Sequence, residues 1–302
     1  MFSLAHLSDL HSTPVEVRGP TEVMNQRVLG WLSWQLHRRR IHRAEVVHAL
    51  VEDLHDRAPD HVVVTGDLTN IGLESEFEAG RRWLERLGAP DAVTAVPGNH
   101  DAYVDSPESR SWAPWAEYMR ADAALGDVTF PFVRTRGPVA LVGVSSSIPT
   151  PPTWANGRVG EAQLERLEAM LRELGDAGWC RTVLVHHPPQ RSGASRRRAL
   201  DDAEALCGVL ARVGAELVLH GHCHRTMIGQ IPGPRGPIPV AGVRSASDFG
   251  SQRGKRARYH LIEVDERVPV DGAVRFSLRL RAREWDGASG SFREAGEARD
   301  LA

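Results

Sequence analysis

The chain has 302 residues, a length that suits either two domains or one large α/β or all-β domain. Its 37 basic and 39 acidic residues leave a formal charge of −2, which excludes a polybasic nucleic-acid binder, and a hydrophobic content of 41% is enough for a large core without disulfides. No apolar run reaches about 18 residues, and Asp9 arrives before a signal-peptide core can form. Cys180, Cys207 and Cys223 are odd in number and lack C-x-x-C spacing, so a reducing cytoplasm is the expected setting.

In chain order, short β-branched runs predict strands at Phe2–Ser8, His61–Thr65, Ala92–Val96, Val139–Ser145, Thr182–His186 and Glu216–His220. Between them, apolar residues at i, i+3, i+4 and i+7 predict helices over Glu45–Ala58, Leu73–Leu87, Glu161–Gly175 and Asp201–Val213. Strands alternating with helices specify a layered α/β fold. Residues 14–44 interrupt the alternation after the first strand. They carry Val28, Leu29, Trp31, Leu32, Trp34 and Leu36, then Arg38, Arg39 and Arg40, and read as an inserted helix. From Pro232 the chain is dense in proline and glycine up to Pro239. Alternating segments at Tyr259–Asp265 and Val274–Glu284 then predict antiparallel strands, so residues 232–302 form a β-rich part of a single domain spanning 1–302.

Five predicted strands each end in potential metal donors: Asp9-Leu10-His11, Gly66-Asp67, Gly98-Asn99-His100-Asp101, His186-His187-Pro188, and Gly221-His222-Cys223-His224. Alone, each reads equally as a turn or a helix cap. Together they place donors five times in the crevice outside the carboxyl ends of the strands, where open α/β sheets bind ligands. Two carboxylates, one amide oxygen and several imidazoles suit Mn, Fe, Zn or Co better than Mg or Ca. Seven donors are too many for one tetrahedral ion and fit two ions bridged by one carboxylate, roughly 3.5–4 Å apart.

These blocks, in this order from residue 9 to residue 224, resemble those of the calcineurin-like metallophosphoesterases, most closely the bacterial branch that includes cyclic-nucleotide and glycerophosphodiester phosphodiesterases. The resemblance implies a four-layer α/β/β/α sandwich. It implies that Asp9, His11, Asp67 and His224 hold the first metal, that Asp67 bridges, and that Asn99, His186 and His222 complete the second. It also implies that His100 lies beside the labile phosphate as hydrogen-bond donor or general acid. Many relatives carry aspartate three residues after the bridging one, where it orients the active-site histidine; here Asn70 stands there. An amide can hydrogen-bond an imidazole but cannot raise its pKa as a carboxylate does, which leaves Asp101 as a substitute or His100 as an electrostatic clamp.

Such a site implies a metal-dependent phosphodiester hydrolase in which a metal-bridging hydroxide attacks phosphorus and no side-chain nucleophile is needed. A small or cyclic phosphodiester is the first expected substrate. The alternative is a phospholipid headgroup at a membrane surface, reached through residues 28–40, where Trp31, Leu32, Trp34 and Leu36 on one face followed by three arginines have the makeup of an interfacial helix. That segment also reads as a lid, a homodimer contact or a helix packed on the protein's own core. Arg191, Arg196, Arg197 and Arg198 read equally as an anion-binding rim or a solvated loop. A non-catalytic scaffold need not keep all seven donors, and near-neutral charge offers no nucleic-acid stripe. His6, His37, His42, His48 and His55 are expected to be structural or on the surface, and His220 at most to support the site.

Overall fold

The computed structural model describes residues 1–11, 15–105, 112–122, 128–190, 195–250, 254–267 and 275–302. The strands are β1 (Phe2–Leu7), β2 (His61–Val64), β3 (Val93–Ala95), β4 (Phe132–Arg136), β5 (Val139–Gly143), β6 (Cys180–Leu184), β7 (Leu217–His220), β8 (Met227–Ile231), β9 (Ile238–Gly242), β10 (Arg258–Arg267), β11 (Arg275–Asp286), β12 (Ser291–Glu294) and β13 (Arg299–Asp300). The helices are α1 (Arg27–Ser33), α2 (Arg39–Ile41), α3 (Ala44–Arg57), α4 (Glu74–Leu87), α5 (Glu161–Asp176) and α6 (Ala203–Val213).

One sheet runs β12-β11-β10-β1-β2-β3, with β13 also on β11, and the other runs β4-β5-β6-β7-β9-β8. β1, β2 and β3 are parallel, as are β5, β6 and β7, so the carboxyl ends of each set point one way. The alternation of side chains along a strand sorts the core into layers. On β5 and β7, Leu141, Leu217 and Leu219 join the cluster that holds Leu4 and Val63 of the first sheet, while Val142 and Val218 face Leu167, Leu171, Leu206 and Leu210 of α5 and α6. Val46, Leu50 and Leu54 of α3 and Phe77 and Leu84 of α4 cover the first sheet. The result is the expected helix–sheet–sheet–helix order. Each fully buried leucine in these layers contributes about 1.5–3 kcal/mol of transfer free energy.

Every predicted strand and helix is present within a few residues of its expected ends; Val274 lies outside the described residues. β10 lies antiparallel on β1, with Ile262 opposite Leu4, which hydrogen-bonds the C-terminal β-rich part to the first strand of the chain. Strands β4 and β8 add to the expected set, and β9, β12 and β13 fall within the β-rich C-terminal part without having been placed individually. Pro239 obscures β9, yet it falls before the β7–β9 pairing begins at Val240, so no ladder donor is lost there. No helix among the described residues is long and apolar enough to cross a membrane.

The insertion is helical, with one departure from α-geometry and one from expectation. After α1 the chain makes a π-helical turn over Trp34–Arg38, a device that reorients one helix face locally. The tryptophans and leucines do not share a face. Trp34 is buried, with 8% exposure, against Val15, Ile71 and Leu73, and Trp31 packs beside it, whereas Val28, Leu29, Leu32 and Leu36 are exposed. Adjacent residues lie roughly 100° apart around a helix, so Trp31 and Leu32 fall on different sides. Backbone bonds from Arg43 to Ser247 and from Phe249 to Ile41 fasten the far end to the loop after β9.

Candidate functional site

The short loops beyond the strand ends bring the seven sequence-selected residues into one cleft. Asp9 follows β1, Asp67 follows β2, Asn99 follows β3, His186 follows β6, and His222 and His224 follow β7. Asp9, His11, Asp67, His222 and His224 all have positive φ, between 45° and 68°, and they make up five of the seven non-glycine residues with that geometry among those described. Backbone strain of this kind costs on the order of 1–3 kcal/mol per residue and persists where surrounding bonds enforce it. Here the Asp9 amide donates to the Gly66 carbonyl at 2.9 Å, and the His11 amide to the Asp67 carbonyl at 2.9 Å. Gly98 and Gly221 permit close approaches: a Cβ would lie 2.2 Å from Asp67 Oδ1 at the first and 1.9 Å from Ser8 Oγ at the second.

Two groups of donors emerge. His224 Nε2 lies 3.1 Å from Asp9 Oδ1 and 3.4 Å from His11 Nε2. His186 Nε2 lies 3.1 Å from Asn99 Oδ1 and 3.4 Å from Asp67 Oδ2, and His222 Nδ1 is 2.9 Å from the same Asn99 oxygen. The Asp9, Asp67 and His186 donors fall within 4.8 Å of one another and join the groups. The outer ring nitrogens face backbone carbonyls: His11 Nδ1 that of Thr69 at 2.9 Å, His186 Nδ1 that of Thr65 at 2.7 Å, and His222 Nε2 that of Arg198 at 3.0 Å. Donation there fixes the tautomer and turns the opposite lone pair inward, as metal-binding histidines require. Acceptors then face acceptors, His222 Nδ1 against Asn99 Oδ1 among them, and a cation between them resolves the conflict. The donor set therefore fits two metal ions.

The two carboxylates are held charged, as metal ligands must be, whereas His186 would give up a proton on binding an ion. Burial pushes the Asp9 and Asp67 carboxyls up, but His224 beside Asp9 and His186 beside Asp67 outweigh it, and both stay below the ordinary carboxylate range. Burial lowers His186, yet Asp67 and Asp9 lift it to about 9. His222 falls to about 3 through burial and then the charge of His186.

His100 is placed beside both groups. Its amide donates to Asp67 Oδ1 at 2.8 Å, and its Nδ1 bonds the backbone carbonyl of Asn70. Neither expected partner of the ring is used. The Asn70 side chain instead donates to the His11 carbonyl and to Glu76, whose buried carboxylate also takes the amides of Asn70, Ile71 and Leu73. Asp101 accepts the amides of Asp67, Thr69 and Gly98 and makes no bond to the His100 ring; burial and then the charge of Asp67 raise it to about 7. Both acids brace the loops that carry the donors.

The sequence reading missed two residues, Arg38 and His42, both from the insertion. Arg38 Nη2 lies 3.2 Å from His11 Nε2 and 3.3 Å from His100 Nε2. His42 is buried, not at the surface; its ring stands 4.5 Å from that of His11, and its Nδ1 meets Ser247 Oγ at 2.8 Å. The available signal was spacing: Arg38 follows Trp31 and Trp34 at i+7 and i+4 on the inward face. His187 bonds Ser146 and His220 the Gly221 carbonyl, and His6 is buried within β1, while His37, His48 and His55 are exposed. Arg191 lies outside the described residues; Arg196–Arg198 form an exposed turn that reaches the site through the Arg198 carbonyl, not through a guanidinium.

The chain belongs to the calcineurin-like phosphoesterase family, whose pattern it matches over residues 2–226. It is 28% identical over 183 residues to a probable cyclic nucleotide phosphodiesterase of a Synechococcus species, covering 60% of this chain and 64% of that one. It is 27% identical over 237 residues to the glycerophosphodiester phosphodiesterase GpdQ of Enterobacter lignolyticus, covering 75% and 72%. The match thus spans under two thirds of the Synechococcus relative. A dimetal phosphatase of Danio rerio has the same fold, with a TM-score of 0.61 at 16% identity over 99% of this chain and 98% of that one.

Proposed function

We propose that this chain, acting as one domain, is a dinuclear-metal phosphodiesterase for small or cyclic phosphodiesters. Asp9, His11, Asp67 and His224 hold one ion; Asp67, Asn99, His186 and His222 hold the other. The observation that carries the reading is the pair of converging donor groups whose outward ring nitrogens are tied to backbone carbonyls. When bound, the ions supply Lewis-acid charge and lower the pKa of water to about 7. The chain's own contribution is orientation and charge. Asp9 and Asp67 return only two negative charges to the cleft, which stays cationic and draws in a phosphodiester anion. His100 presents Nε2 to that anion, since Nδ1 is engaged by Asn70. Burial and then the Arg38 charge lower its pKa to about 4. An anion arriving beside it raises that value, so the substrate itself favours the protonated ring that passes a proton to the leaving alkoxide.

The test pairs two measurements on the purified chain: metal content, and cleavage of bis-p-nitrophenyl phosphate against p-nitrophenyl phosphate with Mn²⁺. About two ions per chain and faster diester cleavage are expected. Metal uptake with monoester cleavage alone would replace the reading with a phosphatase.

A second reading is favoured by one feature. Val28, Leu29, Leu32 and Leu36 are 40%, 49%, 43% and 62% exposed beside exposed Arg39 and Arg40. An apolar ridge with basic flanks suits an anionic lipid interface, which would make the diester a phospholipid headgroup.

A further inference from the structure

The insertion has an inward stripe that ends in a charge. Arg27 Nε donates to the Ile71 carbonyl at 3.0 Å. Gly30 lies so close that a Cβ would stand 2.5 Å from Ile71 Cγ2 and 2.6 Å from the Tyr103 hydroxyl. Trp34 seals the apolar contact with Val15, Ile71 and Leu73. The π-helical turn then carries Arg38 over the cleft.

The surroundings of Arg38 are unusual for a guanidinium. Nη1 is 3.4 Å from His100 Nδ1 and Nη2 is 3.3 Å from His100 Nε2, so the planar head lies against that imidazole. Nη2 is also 3.4 Å and 3.2 Å from the two ring nitrogens of His11. Both Nδ1 atoms are already engaged, by Asn70 and Thr69 carbonyls. Among the described residues no carboxylate oxygen comes within 4.0 Å of this head. Burial lowers its pKa, with Asp67 the largest opposing charge, but a guanidinium remains charged in any protein. Arg38 is partly exposed, yet a cation partly withdrawn from water without a counter-ion beside it is still costly. Two metal ions would add to that cost. The missing partner must be an anion that comes and goes.

We propose that Arg38 is a substrate-binding residue, contributed by the insertion, that grips the non-bridging oxygens of the scissile phosphoryl group together with His100. The inference deepens the proposed function and rests on it. The fork geometry of arginine matches two phosphoryl oxygens at once, and its donors strengthen as charge builds there during attack. The insertion then does more than cover the cleft: the site is complete only when residues 27–38 are docked on it. Lysine cannot reproduce the two-point grip.

The experiment uses the full chain loaded with Mn²⁺, as wild type and as Arg38→Gln, Arg38→Lys and Arg38→Ala. Three quantities are read: Mn²⁺ per chain, affinity for inorganic phosphate by calorimetry, and kcat and KM on bis-p-nitrophenyl phosphate. Mn²⁺ content is expected to stay at the wild-type level. Phosphate affinity in Arg38→Gln should fall at least about tenfold and kcat/KM about 100-fold, mostly in kcat, with Arg38→Lys between. Added guanidinium ion should restore part of the kcat of Arg38→Ala, which a purely structural defect would not allow. Wild-type phosphate affinity in Arg38→Gln overturns the inference, and so does loss of Mn²⁺, which would make Arg38 a positioning residue for the donors. A wild-type chain that takes up no Mn²⁺ overturns the proposed function as well, whereas wild-type diester cleavage matched by Arg38→Gln overturns this inference alone.

Discussion

Asp9, Asp67 and His222 enter the cleft from the first residues beyond strands, while Arg38 and His42 enter it from a helical insertion. The two sides are held differently. The strand-end loops are pinned by backbone bonds and buried carboxylates: Asp101 gathers the amides of Asp67, Thr69 and Gly98, and Glu76 those of Asn70, Ile71 and Leu73. The insertion is held by a small apolar cluster around Trp34 and by a few bonds at its ends. Rigid loops suit donors that must hold an ion within tenths of an ångström, and a separately docked helix suits groups that meet a substrate.

Removing a donor from the loop side should have the largest effect. Asp67→Asn is expected to lower metal content and to cut diester turnover by more than about 100-fold, beyond what a residue merely supporting a donor costs. Metal analysis and steady-state kinetics check it; full turnover with normal metal would end the bridging assignment.

Acid should act next, on the strands beneath those loops. His61 on β2 bonds Thr94 of β3 at 2.7 Å, and His260 on β10 lies opposite His6 of β1. Burial, then Arg136 for His61 and Arg258 for His260, lowers both to about 3. The folded state thus holds them neutral, and unfolding lets them take up protons below about 6.5. Stability is complete above that value and drains as pH falls toward 3, at about 2 kcal/mol per histidine by pH 5. Urea midpoints at pH 7 and pH 5 should show the loss, and His260→Leu should reduce it; equal midpoints would mean that these rings are charged when folded.

The smallest effect should come from the outer face of the insertion. Leu32→Ser with Leu36→Ser is expected to change stability by less than about 0.5 kcal/mol and to leave cleavage of a soluble diester intact. Under the lipid reading it should abolish co-sedimentation with anionic vesicles. Undiminished vesicle binding would take the insertion out of the lipid reading, and none in the wild type would remove the membrane from consideration.

Legibility followed the same division. The order of strands and helices could be read because period-two and period-3.6 patterns are local. The seven candidate donors could be picked out because they sit just beyond strands, where topology alone gathers them. The face of the insertion was misassigned because Trp31 and Leu32 are neighbours in sequence and not on the helix surface. Asn70 illustrates another limit: its side chain was expected at His100, yet its backbone carbonyl does that work, and every residue type carries a carbonyl.

The sequence by itself determined the family, the layered α/β order and the set of candidate donors, since each depends on residue types at short spacing. Only the tertiary structure decided that Arg38 and His42 face the cleft, that Asp101 and Glu76 brace loops, and that β10 completes the sheet beside β1. Those outcomes depend on contacts between segments tens to hundreds of residues apart, such as Arg38 with His100 and Leu4 with Ile262, for which local pattern carries no signal.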